Sequence, residues 1–450
     1  MERATVDPRL EGQLQEIGRA LHDALPPRSR HPVRALDSKA MELASRDAEL
    51  RAALFRLVDV TPACRSLDDL ARHLAGYLEE VGERPQPVEA AMKAANTAAG
   101  RRALGAAAAT GVKHMAHRFI VGDSPRAALG VLRTLWDGGA ASSVDLLGEA
   151  TVTQSEADRY AERCIEALET LAGAAGRWPS RPLLEADSIG PLPRVNLSVK
   201  VSALTPLMRP EAPEVGRDDA ARRLRPLLRR AKELGAHLHI DMESLDALET
   251  TLELVVELLD EAELADGPSA GVVLQAYLRE SPEQLDRLLA WASGSSRRPP
   301  LTVRLVKGAY WDHEVVEARQ RGWTAPVFEV KADSDRNFEG LTRRLLDARP
   351  AVRVAVASHN LRSVAHAVAY NRLTGAEDRD LELQVLRGLG DDLQEALAER
   401  GLRVRSYCPV GDLVAGMAYL VRRLLENTSN DSFLGELGRG APIEELLAAP

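Results

Sequence analysis

Apolar and polar positions follow two rhythms along this chain, and the change falls near residue 140. Before it the spacing is helical. "DAELRAALFRLVDV" puts Leu50, Leu54, Leu57 and Val58 on one face. "SLDDLARHLAGYLEEV" offers Ser66 as an N-cap ahead of Leu67, Leu70, Leu74 and Leu78. "VEAAMKAANTAAGRRALGAAAA" is rich in alanine, which favours helix most strongly. After the change, eight segments alternate or run apolar: "SSVDLLGE" (142–149), "RVNLSVKVS" (194–202), "AHLHIDME" (236–243), "GVVLQAYL" (271–278), "LTVRLVKGA" (301–309), "VRVAVASHN" (352–360), "LELQVLRG" (381–388) and "RVRSYCPV" (403–410).

Helical stretches separate these segments. "SEADRYAERCIEALETLAG" has Ser155 as its expected cap, and "GRDDAARRLRPLLRRAKELG" stops at Gly235. "SPEQLDRLLAWA" offers Ser281 as cap and Pro282 at the first helical position. Strand alternating with helix implies a parallel sheet with right-handed crossovers. Eight such units suit a closed (β/α)8 barrel of the α/β class, preceded by a helical arm. A doubly wound open sheet is the alternative, but neither GxGxxG nor GxxxxGK[ST] occurs. The expected organisation is a helical arm over 1–135, a barrel over 136–436, and a tail or linker over 437–450.

Composition narrows the partners. The 450 residues are 45% hydrophobic, enough for a large core, and the net charge is −9. An acidic balance without a basic stripe argues against nucleic acid. No apolar run approaches a bilayer span, and "MERATVDPRLEGQ" has no signal-peptide core, so a cytoplasmic chain is expected. Cys64, Cys164 and Cys408 are far apart and show no metal-ligand spacing, so reduced thiols and no metal are expected.

Barrel chemistry gathers at the C-terminal ends of the strands, and here those ends are polar. Lys200 and Ser202 close the second segment, Asp241 and Glu243 the third, Arg304 and Lys307 the fifth, and Ser358-His359-Asn360 the sixth. Gln275 and Tyr277, Gln384 and Arg387, and Tyr407 stand in the fourth, seventh and eighth. Alternation points Asn196, Ser198 and Lys200 inward, and turns Arg304 to the mouth with Lys307 on the opposite face. A Lys200–Asp241 pair reads equally as structural or functional, and His239 reads as a core histidine. Near the end, "AYLVRRLLENTSNDSF" sets Arg422 beside Arg423, with Glu426 four residues on. This is a fork suited to carboxylate or phosphate, or else a solvated helix face.

Taken together, "RLVKGAYWD", "NLSVKVSAL", "SHN", "YCPVG" and "YLVRRLLEN…SF" resemble the FAD-dependent proline dehydrogenases. The resemblance is closest to the proline dehydrogenase region of bacterial bifunctional proline utilisation A proteins and covers roughly residues 40–435. It implies a (β/α)8 barrel that holds FAD without a Rossmann domain. The implied reaction oxidises L-proline to Δ1-pyrroline-5-carboxylate by hydride transfer from C5 to flavin N5, with electrons passed to a membrane quinone. It implies catalytic roles for Arg304, Asp241 and Lys200. Proline would be held by Lys200, Arg422 and Arg423 through its carboxylate, and by Tyr310, Leu386 and Tyr407 around its ring. The implied FAD contacts are Asp241, Met242, Val273, Gln275, Arg304, Val306, Lys307, Gly308, Ala309, Trp311, Lys331, Ser358, His359, Asn360, Gln384, Val385, Arg423, Glu426, Ser432 and Phe433.

A pyrroline-5-carboxylate dehydrogenase, fused or separate, and peripheral contact with the inner membrane face are further implications. The chain departs from the family pattern at Glu329, Ser358 and Arg387-Gly388-Leu389. Two rival readings are a Schiff-base aldolase using Lys200 and a scaffold without cofactor. A DNA-binding regulator is disfavoured by the charge, and the ribbon–helix–helix segment of some relatives has no counterpart here.

Overall fold

The computed structural model of the protein describes residues 7–27, 48–82, 86–94, 96–148, 151–412, 416 and 441–450. All eight expected strands form: β1 Ala140–Leu146, β2 Asn196–Lys200, β3 His237–Asp241, β4 Ser269–Gln275, β5 Leu301–Val306, β6 Val352–Ala357, β7 Leu381–Leu386 and β8 Val404–Val410. They pair in parallel in chain order, and β8 returns to β1, so the sheet closes into a barrel. The open-sheet alternative is thereby excluded.

Helices α1 Pro8–Asp23, α2 Ala48–Val60, α3 Leu67–Glu79, α4 Gln86–Ala94, α5 Ala98–Phe119 and α6 Pro125–Asp137 precede β1. The crossover helices are α7 Gln154–Ala175, α8 Pro213–Glu233, α9 Leu245–Leu259, α10 Ser281–Gly294, α11 Trp311–Arg321, α12 Lys331–Asp347, α13 Leu361–Leu373 and α14 Asp391–Glu399. Two caps differ from expectation. Thr153, not Ser155, caps α7, because Thr153 and Glu156 stand three apart and form a reciprocal capping box. Ser281 lies inside α10, one residue after its cap, with its hydroxyl donating to the Leu278 carbonyl.

The wall and the lumen of the barrel are built oppositely. Outward positions such as Val144, Leu197, Val199, Ile240, Val303, Val354, Leu383 and Val404 are buried in one apolar core. Inward positions are polar, which is why these strands alternate instead of running continuously apolar as doubly covered parallel strands commonly do. At the N-terminal end, the floor, Arg353 grips Asp187 at 2.9 and 3.2 Å, and Arg405 grips Glu382 at 2.8 and 3.0 Å. Asp187 comes from the loop before β2 and also accepts the N–H groups of Ile189 and Gly190. Arg403 approaches both carboxylates, at 3.6 and 3.9 Å. Above them His237 bridges Ser269 and His239 at 2.8 and 3.1 Å. Burial, with Arg405 nearby, pushes His237 down to about 3, so the pair is neutral at ordinary pH.

The N-terminal helices divide. Leu10, Leu14 and Leu21 of α1 join the barrel's core, and Glu11 pairs with the buried Arg362 of α13. Arg362 also donates to the Leu447 carbonyl, so α1 and residues 441–450 meet on α13. Helices α2, α3 and α5 enclose a smaller apolar core of their own, including Leu57, Leu70, Leu74, Val112 and Phe119. Ser66 caps α3 as expected. Among the described residues, no helix is long and apolar enough to cross a membrane.

Candidate active site

Five strands send side chains to one cluster at the C-terminal end of the barrel. Arg304 of β5 is 4% exposed and donates to Asp241 Oδ1 at 2.6 Å. Its other terminal nitrogen reaches the hydroxyls of Ser143 and Ser198 at 3.2 and 3.3 Å. The Tyr407 hydroxyl donates to Asp241 Oδ2 at 2.6 Å, and the Arg304 guanidinium lies 5.3 Å from the centre of that ring. Burial, reinforced by Asp145 and Asp241, holds the Tyr407 phenol well above its ordinary range. Lys200 closes β2 with Nζ bonded to Asp145 of β1, while Asp241 stands 4.0 Å away. Burial alone would favour loss of the Lys200 proton. The two carboxylates outweigh it and hold the ammonium above its ordinary value.

Each oxygen of Asp241 thus already accepts one bond, from a guanidinium and from a phenol. That suits the positioning of those two groups. Glu243, two residues beyond Asp241, accepts from Ser202, and burial raises its carboxyl. Gln275 donates to the Glu243 carbonyl at 3.3 Å.

Beyond β5 the chain does what alternation predicts. Lys307 leaves the lumen and pairs with Asp335 of α12, which Lys331 also reaches at 3.1 Å. Burial lowers the Lys307 ammonium against the pull of Asp335. Gly308 has φ +136, and a Cβ there would overlap the Tyr277 ring. Tyr310 sits at the cap of α11. Trp311 is 38% exposed with its indole N–H on the Phe328 carbonyl at 2.9 Å. Glu329 pairs with Arg319 at 3.2 Å.

On the far side of the rim, His359 Nε2 accepts the Leu386 N–H at 2.9 Å, so that nitrogen carries no proton. Ser358 accepts the Asn360 N–H, and Asn360 caps α13. Gln384 donates to Glu382 at 2.6 Å, and Leu386 stands opposite Tyr407 in the β7–β8 register. Arg118 of α5 donates to the Gly388 carbonyl at 2.8 Å. Gly388 has φ +84, and a Cβ there would lie 2.7 Å from the Arg118 carbonyl oxygen. Met242, Val273 and Val385 are buried around these groups, and Val306 and Ala309 half-buried.

Lys200, Asp241, Arg304 and Tyr407 therefore meet in one network. Arg422, Arg423, Glu426, Ser432 and Phe433 lie outside the described residues. Sequence reading turned Ser198 inward but missed Asp145 and Ser143 as members. Alternation in "SSVDLL" was the available signal, since it puts Ser143 and Asp145 on one face. Cysteine spacing also missed a cluster in the helical arm. Possible ligand atoms of Cys64, Asp69 and His73 lie within 4.8 Å of one another, although Asp69 is bonded to Arg72 and the Arg65 N–H.

Comparison with known proteins agrees with this architecture. Residues 128–436 match the family model described as proline dehydrogenase, and residues 11–119 match the proline utilization A N-terminal domain. The bifunctional protein PutA of Salmonella typhimurium is 33% identical over 347 residues, 75% of this chain and 25% of that one. The proline dehydrogenase of Deinococcus radiodurans is 30% identical over 321 residues, 71% of this chain and 89% of that one. The crystal structure of proline utilization A from Bdellovibrio bacteriovorus inactivated by N-propargylglycine superposes with a TM-score of 0.88 at 36% identity. The match covers 97% of this chain and 44% of that one. The chain spans about a quarter of the length of the bifunctional relatives it matches.

Proposed function

The chain belongs to the proline dehydrogenase family, and from that premise we propose that it oxidises L-proline to Δ1-pyrroline-5-carboxylate with FAD as cofactor and a quinone as final acceptor. The observation that carries the reading is the convergence of Lys200, Arg304, Asp241 and Tyr407 from four strands on one end of the barrel.

The residues present fit a flavin. Two ammonium groups, Lys307 and Lys331, share the single carboxylate of Asp335, which leaves positive charge for phosphates. Gly308 presents bare backbone at the rim, and the buried Arg304 Nε has no hydrogen-bond partner among the described residues. Arg304, Lys307, Gly308, Trp311, Lys331, His359 and Gln384 would hold the group, with Arg423, Glu426, Ser432 and Phe433 by resemblance. Bound FAD would supply the acceptor, at N5, for the hydride leaving C5 of proline.

The chain's own task is positioning. Lys200 offers a charged ammonium to the substrate carboxylate, joined by Arg422 and Arg423 in the proposed clamp. Tyr407, Leu386 and Tyr310 would enclose the ring and exclude water. Asp241 fixes Arg304 and Tyr407 together, so the guanidinium stands ready for negative charge that develops during reaction. The Schiff-base alternative is disfavoured, because such a lysine must be neutral and two carboxylates keep Lys200 protonated.

We further assign residues 136–436 to the barrel unit and residues 1–135 to the helical region. A cytoplasmic setting with peripheral membrane contact would serve quinone delivery, and a pyrroline-5-carboxylate dehydrogenase would consume the product. Anaerobic titration of the purified chain with L-proline tests the reading: stoichiometric bleaching of the flavin bands is expected. A colourless protein that FAD does not stabilise thermally would instead point to a scaffold.

A further inference from the structure

We propose that Asp145 is the positioning residue of this site: it keeps Lys200 charged and fixed for the substrate carboxylate. The assignment rests on the proline reading above and adds a residue to it. Lys200 and Asp241 stand opposite each other at the ends of β2 and β3, so Asp241 is the nearer partner by register. Yet Asp241 is spent on Arg304 and Tyr407, and its 4.0 Å approach to Lys200 is too long for a hydrogen bond. The carboxylate that does bond to Nζ comes from β1, and it is 1% exposed.

An ammonium at the edge of a low-dielectric site gives up its proton more easily without a bonded anion, and a neutral lysine has no charge to offer a carboxylate. Lysine also carries its charge on a flexible four-carbon stem, so a fixed anion is needed to hold it in place. One of the three Nζ protons is used on Asp145, which leaves donors for a substrate oxygen. Without Asp145, Lys200 would close the 4.0 Å gap to Asp241 and compete with Arg304 for it. Asp145 therefore serves two cations: it holds one and spares the partner of the other.

The test compares the full chain with Asp145→Asn and Asp145→Glu. The chain has seven lysines, so carbon-13 labelling at lysine Cε lets Lys200 be followed by NMR and assigned with Lys200→Arg. In Asp145→Asn the Lys200 titration is expected to move down by more than about one pH unit. KM for proline is expected to rise by about tenfold or more as the ammonium loses its fixed position, with a smaller change in kcat. Asp145→Glu should recover part of both. A Lys200 titration that stays at its wild-type position in a folded Asp145→Asn chain overturns the assignment, whatever KM does. A wild-type chain that does not oxidise proline overturns the functional reading instead, and the lysine titration still decides the role of Asp145.

Discussion

The mouth and the floor of this barrel are furnished with the same chemistry and differ in whether a cation reaches solvent. At the floor, Arg353 and Arg405 each meet a carboxylate through two nitrogens, and Asp187 also takes two backbone N–H groups. At the mouth, Asp241 and Asp145 are bonded too, but the cations they hold keep spare donors. Lys200 remains one-fifth exposed, whereas Arg353, Arg403 and Arg405 at the floor are 2–6% exposed. The floor uses planar guanidinium forks, which lock geometry. The mouth places an ammonium at its edge, which can turn toward an arriving oxygen. Buried ion pairs by themselves are weak evidence of function. Spare donors occur at both ends, since Arg403 Nε and Nη1 at the floor are also unbonded among the described residues; what separates the ends is a cation that reaches solvent, Lys200.

The largest expected effect that would test this separation is acid. In the unfolded chain histidine titrates near 6.5, whereas folded His237 stays neutral down to about 3 and His239 is likewise depressed. The unfolded state therefore binds the extra protons as pH falls, and stability present in full above about 6.5 is lost below it. The pair should cost on the order of 5 kcal/mol between pH 6.5 and about 4.5. Burial works against Glu382 ionising, but Arg405 holds it near 2, so its contribution is present above about 4.5 and is lost as pH falls toward 2. Chemical denaturation across this range should show the decline. Lys200 stays protonated throughout, so KM for proline should change far less than stability does. A KM that tracks the denaturation midpoint would erase the distinction between the two ends.

Next in size is Asp187→Ala, which strands Arg353 in the floor and should remove about 3–5 kcal/mol. Proline KM in the remaining folded protein should stay near the wild-type value, because the mouth shares no partner with Asp187. The smallest is Tyr407→Phe. It deletes one bond to Asp241 and should cost about 1 kcal/mol of stability. It should lower kcat/KM by roughly fivefold, since it loosens the carboxylate that orients Arg304. If Tyr407→Phe proves the more destabilising of the two, the mouth is the structural end and the comparison is inverted.

Much of this was legible in the sequence because period-two alternation marks both strand and facing. Asn196, Ser198 and Lys200 of "RVNLSVK" and Arg304 of "TVRLVK" read as inward, which placed Lys200 and Arg304 at the mouth and Lys307 on the opposite face at its edge. The family resemblance supplied FAD and proline, which no spacing could. Partners set by closure were not legible. Asp145 meets Lys200 only because β1 lies beside β2 in a particular register, and Asp187 meets Arg353 across 166 residues of sequence. The α7 cap was misread because Ser155 looked like the hydroxyl nearest the apolar run. The carboxylate that completes a capping box stands three residues after Thr153, and that decides the start.

The contact between α5 and the rim loop after β7 reaches further than its single hydrogen bond. Gly388 follows Leu386 and Arg387 directly, and it is clasped by Arg118, 270 residues earlier in the chain. A methyl group at position 388 would prise the arm from the rim and let the stretch holding Leu386 drift. Tolerance to change at that glycine is thus dictated by a neighbouring helix that touches no reacting atom, and a lesion in the arm can present itself as a defect in turnover.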